Sequence, residues 1–265
     1  MAARQFLFAA DDEAAALTRL IATAARVTGF MDGAPGPWLP GWHQLGRDNH
    51  MLLETLRHRL AAAYPQAGAP FYAVRLWTNL LWQPCYLAVI AVHVHGALPE
   101  LGGLAQSVRG VDVSGYRLAP GPQQAGSPEA LIAMAGRQLN AMSEAILTEI
   151  NAITRLKRRP ARRLLADRML DLMVRLDRFC PGTSLAQQQR FCALWLEAMG
   201  LAGEGELETL SLADGTAVPI IARKGCCLDY LAFPGSYCAS CPRQADEVRR
   251  ARQAAAALAE RETAD

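Results

Sequence analysis

Apolar residues recur every three or four positions along most of this chain, which is the spacing of helices with one buried face. The clearest stripe follows Ser127 and Pro128. This pair is typical of a helix start, because serine accepts an orphan amide and proline fits the first turn. The stripe consists of Ile132, Leu139, Met142, Ile146, Ile150 and Ile153. Further helices are predicted from Pro160 to about Leu176 and from Ser184 to Gly200.

The first half of the chain also predicts helices, separated by one proline-rich stretch. A helix running to Thr28 ends at Gly29, and another is expected over residues 48–65. Between them, residues 32–42 hold three prolines among glycines and predict an irregular loop. The most apolar run, residues 77–96, approaches membrane-spanning length but contains polar residues and a proline, so it predicts a buried helix rather than an integral membrane segment.

Two segments depart from the helical period, and the first of them alternates weakly with a period of two. Residues 108–118 predict a short strand pair, and residues 207–212 and 218–223 predict a β-hairpin with its turn at Asp214 and Gly215. The predicted fold class is α+β: a mainly helical domain whose small hairpin leads into a C-terminal cysteine segment. We divide one compact domain into a helix-rich core (1–203), the hairpin and cysteine segment (204–243) and a C-terminal helix or tail (244–265).

Composition and charge narrow the function classes. The chain has 265 residues, 51% hydrophobic and 20% charged, and a net charge of +2, which is ordinary for a globular protein and argues against a protein that coats nucleic acid. Its first twenty residues lack the layout of a secretory signal, so a cytoplasmic location is expected. In that compartment the seven cysteines are expected to stay reduced or to bind metal.

Four cysteines near the C-terminus carry the candidate chemistry. Cys226 and Cys227 are adjacent, and Cys238 and Cys241 form a Cys-x-x-Cys turn that directs two sulfurs to one point. Adjacent residues on a regular strand point to opposite faces, so a bend is needed, and Gly225 is expected to supply it. A two-iron [2Fe-2S] cluster tolerates this spread of sulfurs better than one tetrahedral zinc ion, although zinc stays open.

The residues around the cysteines fit a charged, partly shielded centre. A cluster with four thiolates is an anion, and nearby cations would stabilise it. The candidates are Arg223, Lys224 and Arg243 for charge, Tyr230 and Tyr237 for shielding, and Trp77 for a ligand pocket. Each of these side chains has an ordinary alternative, as a surface charge or a packing aromatic.

The cysteine segment resembles the C-terminal signature of the FhuF-like ferric siderophore reductases. The match lies in Gly225-Cys-Cys-Leu-Asp-Tyr-Leu followed by Phe233-Pro-Gly-Ser-Tyr-Cys-Ala-Ser-Cys-Pro242, and it covers the rest of the chain only loosely. The resemblance implies a [2Fe-2S] cluster on Cys226, Cys227, Cys238 and Cys241. It also implies a cytoplasmic enzyme that reduces siderophore-bound Fe(III) to Fe(II), with a hydroxamate-type siderophore as substrate.

The electron source is expected to be a separate protein, because no glycine-rich loop has the context of a nucleotide site. The resemblance therefore implies a ferredoxin or an NAD(P)H-dependent flavoprotein as donor. A cationic run over residues 155–168 offers a docking face for an acidic electron donor or an anionic siderophore, or is simply a solvated helix face. Two alternatives remain: a non-catalytic zinc or iron-sulfur module that is structural, and a redox-sensing regulator that binds nucleic acid through the cationic run.

Overall fold

The computed structural model of this protein describes residues 9–212 and 215–262. Helix makes up 55% and strand 13% of the structure, so the fold is α+β and mainly helical, as the sequence predicts. The helices are α1 (Ala9–Thr28), α2 (His50–Ala63), α3 (Gly68–Ile90), α4 (Pro128–Asn151), α5 (Arg158–Val174), α6 (Leu176–Phe179), α7 (Leu185–Ala198), α8 (Asp229–Ala232) and α9 (Asp246–Glu262). The strands are β1 (Gly33–Pro35), β2 (His43–Gln44), β3 (Ala97–Leu98), β4 (Ala105–Arg109), β5 (Asp112–Leu118), β6 (Gln124–Ala125), β7 (Glu206–Ser211) and β8 (Ala217–Ala222).

Helix α3 forms the centre of the core, because it is apolar on every side. Helices α1, α2, α4 and α5 pack against it, and it continues as a π-helix over Ala91–His95 that ends at Gly96 in the left-handed region. The buried helix predicted for residues 77–96 is thus confirmed. Within the described residues, no helix combines the length and the apolar content needed to cross a membrane.

The predicted helix starts are confirmed in α4 and α7. The Ser127 hydroxyl accepts the amide of Ala130, with Pro128 in the first turn. Ser184 forms a capping box with Gln187, in which each side chain accepts the other residue's backbone amide. These caps satisfy amides that have no partner inside the helix, and α7 then packs between α4 and α5.

A four-stranded sheet in the order β1-β5-β4-β2 covers part of the helical core. Its β4 and β5 confirm the strand pair predicted for residues 108–118. The prediction of a wholly irregular loop over residues 32–42 is wrong, because β1 lies within it and pairs in parallel with β5. A Cβ at Gly33 would lie only 2.2 Å from the Tyr116 ring, so the close approach of β1 to β5 requires glycine there.

The predicted hairpin near the C-terminus is confirmed as β7 and β8, which pair from Glu206 opposite Ala222 to Ser211 opposite Ala217. Of the predicted turn, Asp214 lies outside the described residues, and Gly215 donates its amide to the Leu212 carbonyl. Helix α9 packs on β8, where the Gln253 amide group bonds both the N–H and the C=O of Ile221. The C-terminal helix therefore lies beside the strand that leads to the cysteines.

Candidate functional site

Asp167, on α5, holds the chain where it leaves β8 for the cysteines. Its carboxylate is 5% exposed and accepts from Arg223 Nε at 3.0 Å and from the backbone amides of Lys224 at 3.3 Å and Gly225 at 2.9 Å. Burial raises the pKa of Asp167 to about 6, and Arg223 opposes that shift. Three donors on one buried acceptor fix the position of the segment against α5.

Gly225 is needed for close packing. A Cβ at this position would lie 2.5 Å from Asp167 Oδ2 and 3.0 Å from the Leu164 amide nitrogen. The left-handed backbone in this segment is at Leu228, with a φ of +61°, and not at Gly225. Leu228 is the one non-glycine residue in the described part of the chain with positive φ. A branched side chain in this region costs about 1 kcal/mol or more, so the surrounding structure imposes the turn.

The Leu228 turn directs backbone amides at sulfur. Burial raises the pKa of the Cys226 thiol and the Leu228 amide opposes that shift, whereas Cys238 and then the Asp229 amide lower the pKa of the Cys227 thiol. Amide donors of this kind stabilise negative charge on sulfur, as a metal-bound thiolate requires. The residue type at the turn gave no hint of this arrangement, because leucine is not a turn former.

The second pair of cysteines meets the first at one place. Cys238 and Cys227 share a hydrogen bond, and Arg223 Nη1 lies 3.4 Å from Cys238 Sγ as a further donor. That hydrogen bond lowers the pKa of Cys227 and raises that of Cys238, because the pair holds one proton between them. Cys241 is buried and interacts electrostatically with Cys226 and Cys238. All four predicted cysteines are therefore neighbours.

The four thiols are close but do not form a preformed cage for a single ion. In the described parts of the chain, no group of three or more His, Cys, Asp or Glu side chains is arranged to hold one metal ion. The chemistry of the donor set nevertheless fits an iron-sulfur cluster, because four thiols are surrounded by amide and guanidinium donors. A [2Fe-2S] cluster also receives its thiolates at two separate irons instead of one tetrahedral centre.

Three of the predicted contact residues form a stack beside the cysteines. The rings of Tyr230 and Tyr237 are stacked with centroids 5.9 Å apart, and the Arg243 guanidinium lies 4.5 Å from the centroid of the Tyr230 ring. Phe233 is 46% exposed, and its ring contacts Tyr64. The stack carries aromatic surface close to Cys238, which is exposed.

The remaining predicted contacts lie in different surroundings. Arg223 contacts both Asp167 and Cys238, whereas the Lys224 ammonium is turned to the Gly203 carbonyl at 3.0 Å. Trp77 is 2% exposed and donates its indole N–H to the Ala161 carbonyl at 3.0 Å. Trp77 therefore contributes to the base of the site and offers little free surface to a ligand.

A cleft of about 370 Å³ opens next to the sulfurs, between α3, α5, β8, α9 and the cysteine segment. Cys227 and Cys238 both line it. Its charged lining consists of Arg75, Arg168, Arg175, Arg223, Asp167, Asp171 and Asp229. Among these, Arg175 pairs with Asp171 at 3.1 Å and Arg75 lies 3.8 Å from Asp229. The cleft thus combines charged and apolar side chains and has two thiols in its wall.

Sequence reasoning missed most of this cleft. Asp167 stands as the only acid within a cationic run, and that isolation is the one signal that could have identified it as a buried partner. Arg75 belongs to an apolar helix far from the cysteines in sequence, so only the packing of α3 on α5 and α8 brings it there.

No protein-family model matches this chain, and no solved structure matches it significantly. The function of the site therefore has to follow from its own residues: the four thiols, the donors around them and the cleft beside them.

Proposed function

We propose that this protein is a ferric siderophore reductase that uses a four-cysteine [2Fe-2S] cluster. The observation that carries the proposal is the position of Cys227 and Cys238 in the wall of a charged cleft. A chelate bound in that cleft lies next to the sulfurs. The resemblance of the cysteine segment to the FhuF-like signature supports the same assignment.

The ligands in this proposal are Cys226, Cys227, Cys238 and Cys241. When bound, the cluster supplies a one-electron relay. The chain's own residues stabilise negative charge on the sulfurs: the amides of Leu228 and Asp229 donate to Cys226 and Cys227, and Arg223 donates to Cys238. Arg223 is itself held by Asp167, so its guanidinium stays in place when the charge on the sulfurs changes.

The cleft binds and orients the substrate. Its volume of about 370 Å³ lies in the range of small-molecule sites and admits one face of a compact ferric chelate. Reduction of Fe(III) to Fe(II) takes one electron and makes the ion softer, so the hard hydroxamate oxygens lose affinity for it. Iron release then follows from ligand chemistry, without cleavage of the siderophore.

The proposal places the reaction in the cytoplasm, with an external donor. The candidates are a ferredoxin and an NAD(P)H-dependent flavoprotein, which pass electrons on singly. A structural zinc or iron-sulfur module is the alternative. It gains little support here, because Asp167 already fastens the cysteine segment to α5 through three hydrogen bonds.

Anaerobic purification followed by iron and acid-labile sulfide analysis tests the cluster. The dithionite-reduced protein is then mixed with a ferric trihydroxamate while its reoxidation and the appearance of Fe(II) are followed. We expect one Fe(II) per electron, and we expect Cys226→Ser to lower cluster content and rate at least about tenfold. Cys180→Ser, at a half-buried cysteine on α6's C-terminal side, is the matched control and should change neither. Zinc without sulfide would refute the proposal.

A further inference from the structure

The start of α5 carries a group of exposed cations that the proposed reduction does not use. Arg155, Lys157 and Arg159 are exposed, and none of them has an ion-pair partner among the described residues. We call these three residues the α5 basic patch. Their neighbours differ, because Arg158 pairs with Glu144 at 2.8 Å and Arg163 pairs with Glu204 at 3.3 Å.

The α5 basic patch lies at the end of the helix where cations are unfavourable. Lys157 is the N-cap residue and makes no capping bond, and the first turn contains no acid. A helix N-terminus carries partial positive charge and is stabilised by Asp or Glu there, so this arrangement costs stability. A local arrangement that opposes folding is expected where function requires it.

The patch is close to the cysteine segment. Gly225, which precedes Cys226, would place a Cβ 3.1 Å from the backbone carbon of Arg163 and 3.0 Å from the Leu164 nitrogen. At about 1.5 Å per residue along α5, Arg159 lies roughly 8 Å from that contact. The charged residues that α5 contributes to the cleft come instead from its second half, between Asp167 and Arg175. Along α5, the contact with Gly225 thus lies between the patch and the residues that line the cleft.

We propose that the α5 basic patch is the docking surface for an acidic electron-transfer protein, an inference that rests on the proposed reductase function. Complementary charge raises the rate of encounter between two proteins and orients them. The donor protein is oxidised by one electron and the reductase is reduced by one electron, with no bond made or broken. Entry at the start of α5 leaves the cleft free for the ferric chelate.

The test compares Lys157→Gln/Arg159→Gln with Arg19→Gln/Arg26→Gln, which removes the same charge from the exposed surface of α1. The probe is an acidic [2Fe-2S] ferredoxin. Its affinity for the full-length protein is measured by calorimetry, and its rate of electron transfer by stopped flow. We expect the patch variant to lose about tenfold in both at low ionic strength, and the control to lose little. At about 1 M salt, where the Debye length is about 3 Å, the wild type and both double variants should show the same ferredoxin affinity and the same electron-transfer rate.

Two further readouts separate this inference from the proposed function. The rate at which the prereduced protein is reoxidised by a ferric trihydroxamate should be the same in both double variants. Because calorimetry needs no electron transfer, ferredoxin binding is measured even in a preparation without iron, where the proposed function itself would fail. Equal ferredoxin affinity in the patch variant and the wild type would overturn the docking surface. So would salt-sensitive binding of a DNA duplex that the patch variant loses, since that assigns the surface to nucleic acid.

Discussion

Asp167 is a buried carboxylate that positions thiols it does not touch. It lies 58 residues from Gly225 in sequence and binds that residue's amide at 2.9 Å, so the cysteine segment is placed by a tertiary contact. Arg223 connects the two functions, because it pairs with Asp167 and donates to Cys238. A charge held this firmly can stabilise an anionic centre without having to reorient.

His93, on the π-helix that follows α3, is a second titratable side chain and is half-buried. Its Nε2 accepts the indole N–H of Trp195 at 3.0 Å, and its ring lies 4.9 Å from that of Phe191. Burial lowers the pKa of His93 to about 4, and Glu129 opposes that shift. The imidazole is therefore neutral in the folded protein at physiological pH.

Stability is expected to fall on mild acidification because of His93. An unfolded histidine titrates near pH 6.5, so from about pH 6.5 down to about 4 the unfolded chain binds more protons than the folded one. Lowering the pH from about 7.5 to about 5.5 should cost the wild type about 1 kcal/mol relative to His93→Gln, whose side-chain oxygen can still accept from Trp195. Urea denaturation at both pH values measures this. A pH-independent difference between the two proteins would contradict a neutral His93 in the folded protein.

At the scale of elements, the sequence predicted the helix starts and the hairpin, because these depend on residues that are close together in the chain. Ser127 and Ser184 start helices because each satisfies an orphan amide within its own first turn. The β7–β8 hairpin was also predictable, since its strands are adjacent in sequence and joined across an Asp-Gly turn signal.

Elements that depend on distant partners were not predictable. Strand β1 pairs with β5, so Gly33 lies opposite Tyr116, 83 residues further along the chain. Its glycine and proline composition indicated a loop, because nothing nearby in sequence reveals the parallel neighbour. The bend at Leu228 was missed for the same reason: tertiary packing imposes a backbone conformation that leucine does not favour.

The contact between α5 and the cysteine segment should depend on Gly225 having no side chain. Gly225→Ala would place a Cβ 2.5 Å from Asp167 Oδ2 and 3.0 Å from the Leu164 backbone nitrogen. The helix backbone cannot yield, so we expect a loss of about 2 kcal/mol and a lower iron content. Gly121→Ala is the matched control, because its φ is not in the left-handed region and no atom lies within 4 Å of the added Cβ. Thermal unfolding and iron analysis compare the two. Equal stability and equal iron content in the two variants would mean that the cysteine segment does not pack on α5 as described.

On the scale of the whole molecule, the apolar core and the cysteine segment contribute differently. The core is built from α1 to α7 around α3, and it contains Cys85 and Cys192 but none of Cys226, Cys227 or Cys238. Of the four candidate ligands only Cys241 is buried, at 3% exposed. The helical core therefore has the contacts to fold without a bound metal. The cysteine segment contributes little to that core and instead lines the cleft.

Replacing all four candidate ligands by serine tests this division of roles. We expect the helical circular dichroism signal and a cooperative transition to persist, with a loss of at most about 3 kcal/mol out of a typical 5 to 15. A domain that needs its metal for folding behaves differently, because its binding free energy is its folding free energy and the metal-free chain unfolds. Collapse of the helical signal in the serine variant would therefore favour the structural zinc or iron-sulfur module. If the cysteines hold a redox centre beside an independently stable core, the serine variant should be folded, free of iron and inactive.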